Sequence, residues 1–346
     1  MSIFSSASSC LGIDIGTSSI KIVELAKEGG KVKLASYGFS ENQNGKLAGD
    51  WQTSTKKTAK AINKIIKEAG MGCRSAVSAL PTFSVFSSIL SLTNVDKKDL
   101  PSAVHWEAKK VIPIPLEEMI LDWKKIEDET LSKGNTKILL TGAPRTLVKR
   151  YIDIFKEAQI NLISLETETF SLVRSLLGHD QATIMMVELG TNTTDISIVE
   201  KSIPILNRSI DVGGLTITKA ISGNLNIGLE RAEQFKYDLG MNALDSNVEV
   251  VSKTINETLA PIINEVKYVL NLYQTKNNKK VEKIVLSGGA ALLPSLAGYL
   301  SKLTDLNVIL GSPWSHVSYP LELKPVLDEI GPRLAVSVGL ALRQME

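Results

Sequence analysis

The hydrophobic positions of this chain change their period several times along its length. Residues 11–25 read as two β-branched apolar runs separated by the small polar turn Gly16–Ser19, the pattern of a β-hairpin. Residues 31–37 supply a third strand. At 55–69 the period becomes helical: Ala59, Ile62, Ile66 and Ala69 share one face, lysines occupy the other, and Gly70 stands where a helix C-terminal glycine would. That is an amphipathic helix laid on a sheet. Between 85 and 165 shorter segments alternate, with a strand at 85–92, a helix at 99–111, the segment Ile112–Pro115, two strands and a helix at 146–159. They predict a small inserted α+β unit. At 162–177 a short strand gives way to a helix, and a second apolar hairpin follows at 183–206.

The second hairpin repeats the first. Superposing them sets Asp14 on Glu188, Gly16 on Gly190, Thr17 on Thr191 and Ser19 on Thr193. Repetition of a hairpin with a polar turn predicts a duplicated domain enclosing one cleft, with chance similarity as the alternative. Turns rich in Gly, Thr and Ser point backbone N–H groups and hydroxyls toward one spot, with no bulky side chain in the way. Thr17, Ser18 and Ser19 in one turn, and Thr191, Asn192 and Thr193 in the other, thus suit the two sides of a polyphosphate. Carboxylates at the strand ends, Asp14 and Glu188, suit a hydrated Mg²⁺, which takes oxygen ligands and keeps its waters. Lys21 either adds positive charge beside the phosphates or is simply solvated.

Two further turns extend this site. An apolar strand leads through Ser287, Gly288, Gly289 and Ala290 into a helix, and Gly213–Gly214 precede another. Paired glycines admit a flat ligand close to the backbone, and helix starts offer free N–H groups.

Composition narrows the field. The 346 residues are 43% hydrophobic and 22% charged, enough for two packed cores. A net charge of +2, from 39 basic and 37 acidic residues, gives no bulk field for nucleic acid or an anionic membrane, so either would need a local patch. Cys10 and Cys73 form no disulfide framework, which fits a reducing cytoplasm. His105, His179 and His316 are scattered. The start of the chain lacks a signal-peptide pattern, and no uninterrupted apolar stretch of membrane-spanning length occurs. The segment 331–346 reads as a core helix, because Arg333 and Arg343 are its only basic residues. No Gly-x-x-x-x-Gly-Lys-[Ser/Thr] loop and no strand-borne Gly-x-Gly-x-x-Gly is present.

Taken in order, the Asp-x-Gly-Thr hairpin, the acid-x-Gly-Thr hairpin and the Ser-Gly-Gly turn resemble the nucleotide site of the actin, FtsA and DnaK-type superfamily, over essentially the whole chain. The resemblance implies an α/β, actin-like two-domain fold of duplicated ribonuclease-H-like domains closing on MgATP. It also implies that Glu233 and Lys236 touch the adenosine and that Glu168 orients an attacking water. The segments HWEAKKVIPIPLEEMILDW, TGAPRTLVKRYIDIFKEAQI and LETETFSLVRSLL are similar to the signature of the PilM family of type IV pilus assembly proteins. An FtsA/PilM-type subdomain at 85–165 is then expected. The first domain comprises 1–84, completed by 166–180 and 325–346, and the second 181–324.

That family resemblance implies an ATP-binding component at the cytoplasmic face of the inner membrane. It would dock the N-terminal peptide of the inner-membrane protein PilN in a groove between insertion and first domain, and touch the membrane only through PilN. Trp106, Ile112, Pro113, Ile114 and Pro115 either line that groove or pack the insertion. Other pilus assembly proteins and self-association are further implied contacts, and nucleic acid is not. Glu188 departs from the Asp common before the second Gly-Thr. Its extra methylene moves the carboxylate by about 1.5 Å, so binding is expected to survive while hydrolysis is slow or absent, at most a weak ATPase. The alternatives are a filament-forming FtsA- or MreB-like protein, and a small-molecule kinase, for which no acceptor-pocket signature appears.

Overall fold

The computed structural model describes residues 8–41, 54–126, 134–241, 246–277 and 279–345. In chain order the first lobe opens with strands β1 (Ser8–Ile15), β2 (Ser19–Glu28) and β3 (Lys31–Glu41), helix α1 (Thr55–Glu68) and strand β4 (Ser75–Leu80). Strands β5 (Phe86–Thr93), β6 (Met119–Ile126) and β7 (Asn135–Pro144), with helix α2 (Leu100–Val111), form an inserted sheet of order β5-β7-β6. Helix α3 (Arg145–Glu157) and strand β8 (Asn161–Thr167) return to the first sheet, whose order is β3-β2-β1-β4-β8. Helix α4 (Glu168–Leu172) widens into a π-helical turn at Val173–Leu177 and leads into the second lobe.

There, β9 (Ile184–Leu189), β10 (Thr194–Glu200) and β11 (Ile203–Ile210) precede helices α5 (Gly214–Leu225), α6 (Leu229–Leu239) and α7 (Ser246–Asn277). Strand β12 (Lys283–Ser287), helix α8 (Leu296–Thr304), strand β13 (Asn307–Leu310) and helix α9 (Lys324–Leu342) follow. The second sheet has order β11-β10-β9-β12-β13. Both large sheets therefore share one plan: two antiparallel pairings, then two parallel ones. The repetition read from two hairpins extends to whole sheets.

Each sheet is buried on both faces, which is why its central strands read as near-continuous apolar runs. Alternate residues of β1 and β2 serve different cores: Leu11, Ile13, Ile20 and Ile22 pack under α1 and α3, while Cys10, Val23 and Leu25 face α9. In β9, Met185 and Val187 pack under α5, α6 and α7, whereas Ile184 and Met186 join the α9 side. Helices α4 and α9 thus form the layer between the sheets. Glycines let α9 lie flat there: a Cβ on Gly12 would sit 1.8 Å from the Ser337 carbonyl oxygen, and one on Gly339 1.9 Å from that of Ser171.

One boundary differs from the sequence reading. The inserted unit was expected to run from 85 to 165, but α3 contributes Tyr151, Ile154 and Phe155 to the first lobe's core and β8 is an edge strand of the first sheet, so the insertion ends near Pro144. Local periodicity cannot say which core an amphipathic helix faces. The C-terminal helix, expected over 325–346, begins at Lys324 and carries Pro332 inside it; almost every residue from Gly331 to Leu342 is buried. Among the described residues no helix is long and apolar enough to cross a membrane.

Candidate functional site

The two polar turns face each other at the ends of β1–β2 and β9–β10. Each closes in the same way, with Gly16 N–H donating to the Ser19 carbonyl at 3.0 Å and Gly190 N–H to that of Thr193 at 2.9 Å. The Ser18 and Thr191 hydroxyls meet across the gap at 2.6 Å. Beneath them is a cleft of about 60 Å³, lined by Asp14, Gly16, Thr17, Ser18, Ser19 and Lys21 from the first lobe and Gly190, Thr191 and Thr193 from the second. Asn192 lies in the second turn without lining it.

The floor of the cleft is acidic. Asp14 is cross-strand partner to Lys21, and their side chains form an ion pair at 2.8 Å. Glu188 occupies the equivalent place in the second hairpin, but its cross-strand partner is Asp195. One lobe therefore has acid against base where the other has acid against acid. Glu168, the first residue of α4, adds a third carboxylate, which accepts from Thr82 N–H at 2.8 Å and Thr82 Oγ1 at 3.1 Å. Ligand oxygens of Glu168, Glu188 and Asp195 all lie within 4.8 Å of one another.

Crowding buried carboxylates disfavours their ionisation. Burial, then Asp195 and Asp14, pushes Glu168 up to about 8, against the pull of the Thr82 hydrogen bonds. Glu188 is raised well above the usual carboxylate range by burial and by Glu168, Asp195 and Asp14. Burial raises Asp195 to about 6. For Lys21 burial acts downward, but Asp14, Glu188 and Glu168 together hold its ammonium above the ordinary value. Glu188 Oε2 and Asp195 Oδ1 are buried without a hydrogen-bond partner. Orphaned buried oxygens are costly, and a cation would satisfy them.

The remaining sequence-selected residues gather beside the cleft at the end of the second sheet. Gly214 and Leu215 N–H groups donate to the Gly190 and Thr191 carbonyls, both at 2.9 Å, tying the start of α5 to the second turn. A Cβ on Gly213 would meet the Thr191 carbonyl at 2.6 Å, and one on Gly288, at φ +87°, the Leu189 carbonyl at 2.3 Å. These glycines are required for strand ends and helix starts to approach. Ala290 packs against Gly214, and the Gly289 carbonyl accepts from the Tyr237 hydroxyl at 3.2 Å. Lys236 is 2% exposed, with Nζ 2.7 Å from Glu233 and 3.0 Å from the Thr218 hydroxyl; burial lowers its pKa against the pull of Glu233.

Asp195 and Thr82 were not singled out in the sequence. The signal for Asp195 was present: the offset that carries Asp14 onto Glu188 carries Lys21 onto Asp195. Thr82 has no such signal, since it reaches Glu168 only through the fold.

A second cavity, of about 510 Å³, lies where the inserted sheet meets both lobes, among Lys124, Leu139, Phe170, Arg174, Leu342 and Met345, with Ser202 and Ile203 of the second lobe also in its lining. Glu166 holds its wall, accepting from both Arg174 nitrogens at 2.7 and 3.1 Å and from Arg343 at 2.6 Å. The segment expected either to line a groove or to pack the insertion does not line this cavity. Ile112 is buried in the insertion's own core with Val104, Ala108 and Met119, while Trp106, Pro113, Ile114 and Pro115 are exposed and do not line this cavity.

Two duplicated five-stranded sheets, packed about a central helical layer with facing polar turns, define the actin-like fold. MreB5 of Spiroplasma citri, solved with AMPPNP, shares it at TM-score 0.54 and 12% identity, over 96% of this chain and 95% of that one. Cell division protein FtsA of Neisseria meningitidis serogroup B is 22% identical over 377 aligned positions, 95% of this chain and 88% of its own. Within that class the chain belongs to the type IV pilus assembly protein PilM family, whose model matches residues 12–345. A solved PilM–PilN type IV pilus biogenesis complex superposes at TM-score 0.85 and 24% identity, over 97% of this chain and 98% of the matched one.

Proposed function

We propose that this pilus assembly protein is an ATP-loaded docking platform, holding MgATP between its two turns and the N-terminal peptide of PilN in the cavity beside the insertion. The observation carrying the first half is the meeting of two equivalent Gly-Thr turns over an acidic floor with a single lysine. The donor set fits the expected metal: three carboxylates with oxygens close together, two of them orphaned, are the hard ligands that Mg²⁺ takes, directly or through water. When bound, the metal supplies charge neutralisation for the phosphates. Glu168, Glu188 and Asp195 would hold it, whereas Asp14, expected beside Glu188 as a ligand, is paired with Lys21.

The chain's own groups do the rest. Turn N–H groups and the hydroxyls of Thr17, Ser18, Ser19, Thr191 and Thr193 receive phosphate oxygens, and Lys21 adds positive charge. A cleft of about 60 Å³ is too small for a triphosphate, so the turns separate on binding and Ser18 and Thr191 exchange each other for phosphate. Gly213, Gly214, Gly288, Gly289 and Ala290 border the adenosine, and the paired Glu233 and Lys236 touch it. Glu168, pinned by Thr82, is the residue placed to orient a water, and the longer Glu188 keeps turnover slow.

The solved PilM–PilN neighbour supports the partner assignment. One element joins the two sites: Glu168 at the cleft and Phe170, Val173 and Arg174 at the cavity fall within two turns of each other. Nucleotide that moves Glu168 therefore moves the peptide wall. Thermal unfolding of nucleotide-free protein with excess MgATP, and MgGTP as control, tests the first site. At a hundredfold excess over the dissociation constant about 2.7 kcal/mol of stabilisation is expected, a shift of several degrees. No shift with ATP would reject nucleotide loading. Equal binding of PilN peptide by wild type and a variant unable to bind ATP would reject the coupling.

A further inference from the structure

Charge is spread unevenly over this molecule. Helices α1 and α3 pack side by side on the outer face of the first sheet, with Ile62, Ile66, Ile154 and Phe155 in one core with Leu11 and Ile22. Their outer surface is basic. Helix α1 carries Lys56, Lys57, Lys60, Lys64 and Lys67 against one acid, Glu68; α3 carries Arg145, Lys149, Arg150 and Lys156 against Asp153 and Glu157. All of these side chains are exposed. The excess is four positive charges on α1 and two on α3, in a chain whose whole net charge is +2. Everything else is therefore net negative.

The inner faces already account for the packing of both helices, so the fold does not require the lysines. Nine cations on the face outnumber its three acids, Glu68, Asp153 and Glu157, and the Lys64–Glu68 pair, exposed at 3.8 Å, is of little strength. Ile152, half exposed, stands among the cations of α3. We infer that the α1–α3 face is an electrostatic docking surface for an anionic phospholipid bilayer. Flexible lysine ammoniums are point charges suited to a diffuse headgroup field; on this face seven lysines outnumber the two arginines, Arg145 and Arg150, and no aromatic ring is exposed to stack a base. This goes beyond the docking reading, in which the membrane is reached through PilN alone, and needs neither nucleotide nor peptide.

The test is co-sedimentation of the purified full chain with vesicles of phosphatidylcholine containing 30% phosphatidylglycerol, and with phosphatidylcholine alone, at about 0.1 M salt. Binding to the anionic vesicles only, weakening as salt rises, is expected. The variant K56Q/K60Q/K64Q/K67Q keeps helix-forming side chains and should unfold at the wild-type temperature while partitioning at least tenfold less, since each lysine near an anionic surface is worth on the order of fivefold. Equal sedimentation with neutral vesicles, or undiminished binding by the variant, would overturn the inference. Binding to a DNA duplex without binding to vesicles would overturn it too. Because the vesicles carry no PilN, failure here leaves the peptide cavity unjudged; PilN peptide titrated into the same variant reports on that separately.

Discussion

Ser18 and Thr191 lie 173 residues apart in sequence, yet their hydroxyls are 2.6 Å apart and bridge the two lobes at the mouth of the cleft. Each sits in a turn held by its own Gly N–H bond, so neither turn depends on the other for its shape. The contact is therefore a latch between preformed halves, and it closes the mouth of the cleft in which the proposed nucleotide would place its phosphates.

Removing the latch should cost the ligand-free protein a modest amount and leave the lobes intact. Ser18→Ala and Thr191→Val should each lower stability by about 1 kcal/mol, the net worth of one hydrogen bond, or a few degrees of unfolding temperature. The double variant should lose little more than either single one, because both delete the same bond. Calorimetry without nucleotide checks this; full additivity would show that the hydroxyls act separately.

The acid cluster sets the pH dependence. With Glu168 at about 8, and Glu188 also raised, the folded chain keeps protons that the unfolded chain has released from about pH 4.5 upward. Stability of the metal-free protein should therefore fall as pH rises from about 5 to 8. Mg²⁺ competes with those protons, so its stabilising effect should grow over the same window. Glu188→Gln should flatten the metal-free slope and shrink the Mg²⁺ effect. Unfolding temperatures in EDTA and in Mg²⁺ across that range decide it, and parallel curves would mean the trio does not hold the metal.

Lys21 is the lone cation lining this floor among the described residues. Lys21→Met strands Asp14 beside the other carboxylates, and loss of one partner of a largely buried pair costs about 3 kcal/mol or more. Pairing it with Asp14→Asn should restore much of that stability without restoring nucleotide binding, because the phosphates would still lack the ammonium. Chemical denaturation together with an ATP titration separates the two effects.

How far the sequence could be read follows from where each signal lies. Both hairpins were legible because their strands are buried on two faces and their turns are Gly-Thr, a local pattern that repeats. Helix α1 was legible because Ile62 and Ile66 face the core while lysines face out. Asp195 was overlooked because, inside the run Thr194–Val199, it resembles any strand residue until the cross-strand partner is known. The cavity beside β6 was not legible at all: Leu139, Phe170 and Met345 come from three distant segments, and only the packing of α9 against the first sheet brings them together. Trp106 and Ile114 left two readings open, groove or packing, because an apolar residue in a sequence does not show which way its side chain faces; both are exposed on the insertion and neither lines the cavity.

Phe170 offers the sharpest separation of the two sites. Its half-buried ring lines the cavity, two residues beyond Glu168 at the cleft. Phe170→Ala removes apolar surface from the proposed peptide seat, and an anchor of this size, when truncated, costs about 2 kcal/mol or more of binding. PilN N-terminal peptide should then bind at least tenfold more weakly, while MgATP still raises the unfolding temperature as in wild type. Glu168→Gln should do the reverse at the cleft, leaving peptide affinity without ATP unchanged but abolishing the gain that ATP confers. Titration of labelled peptide into both variants, with and without MgATP, gives the four affinities needed. If Phe170→Ala leaves peptide binding untouched, the cavity is not the seat; if ATP strengthens peptide binding equally in Glu168→Gln and wild type, coupling does not pass through α4.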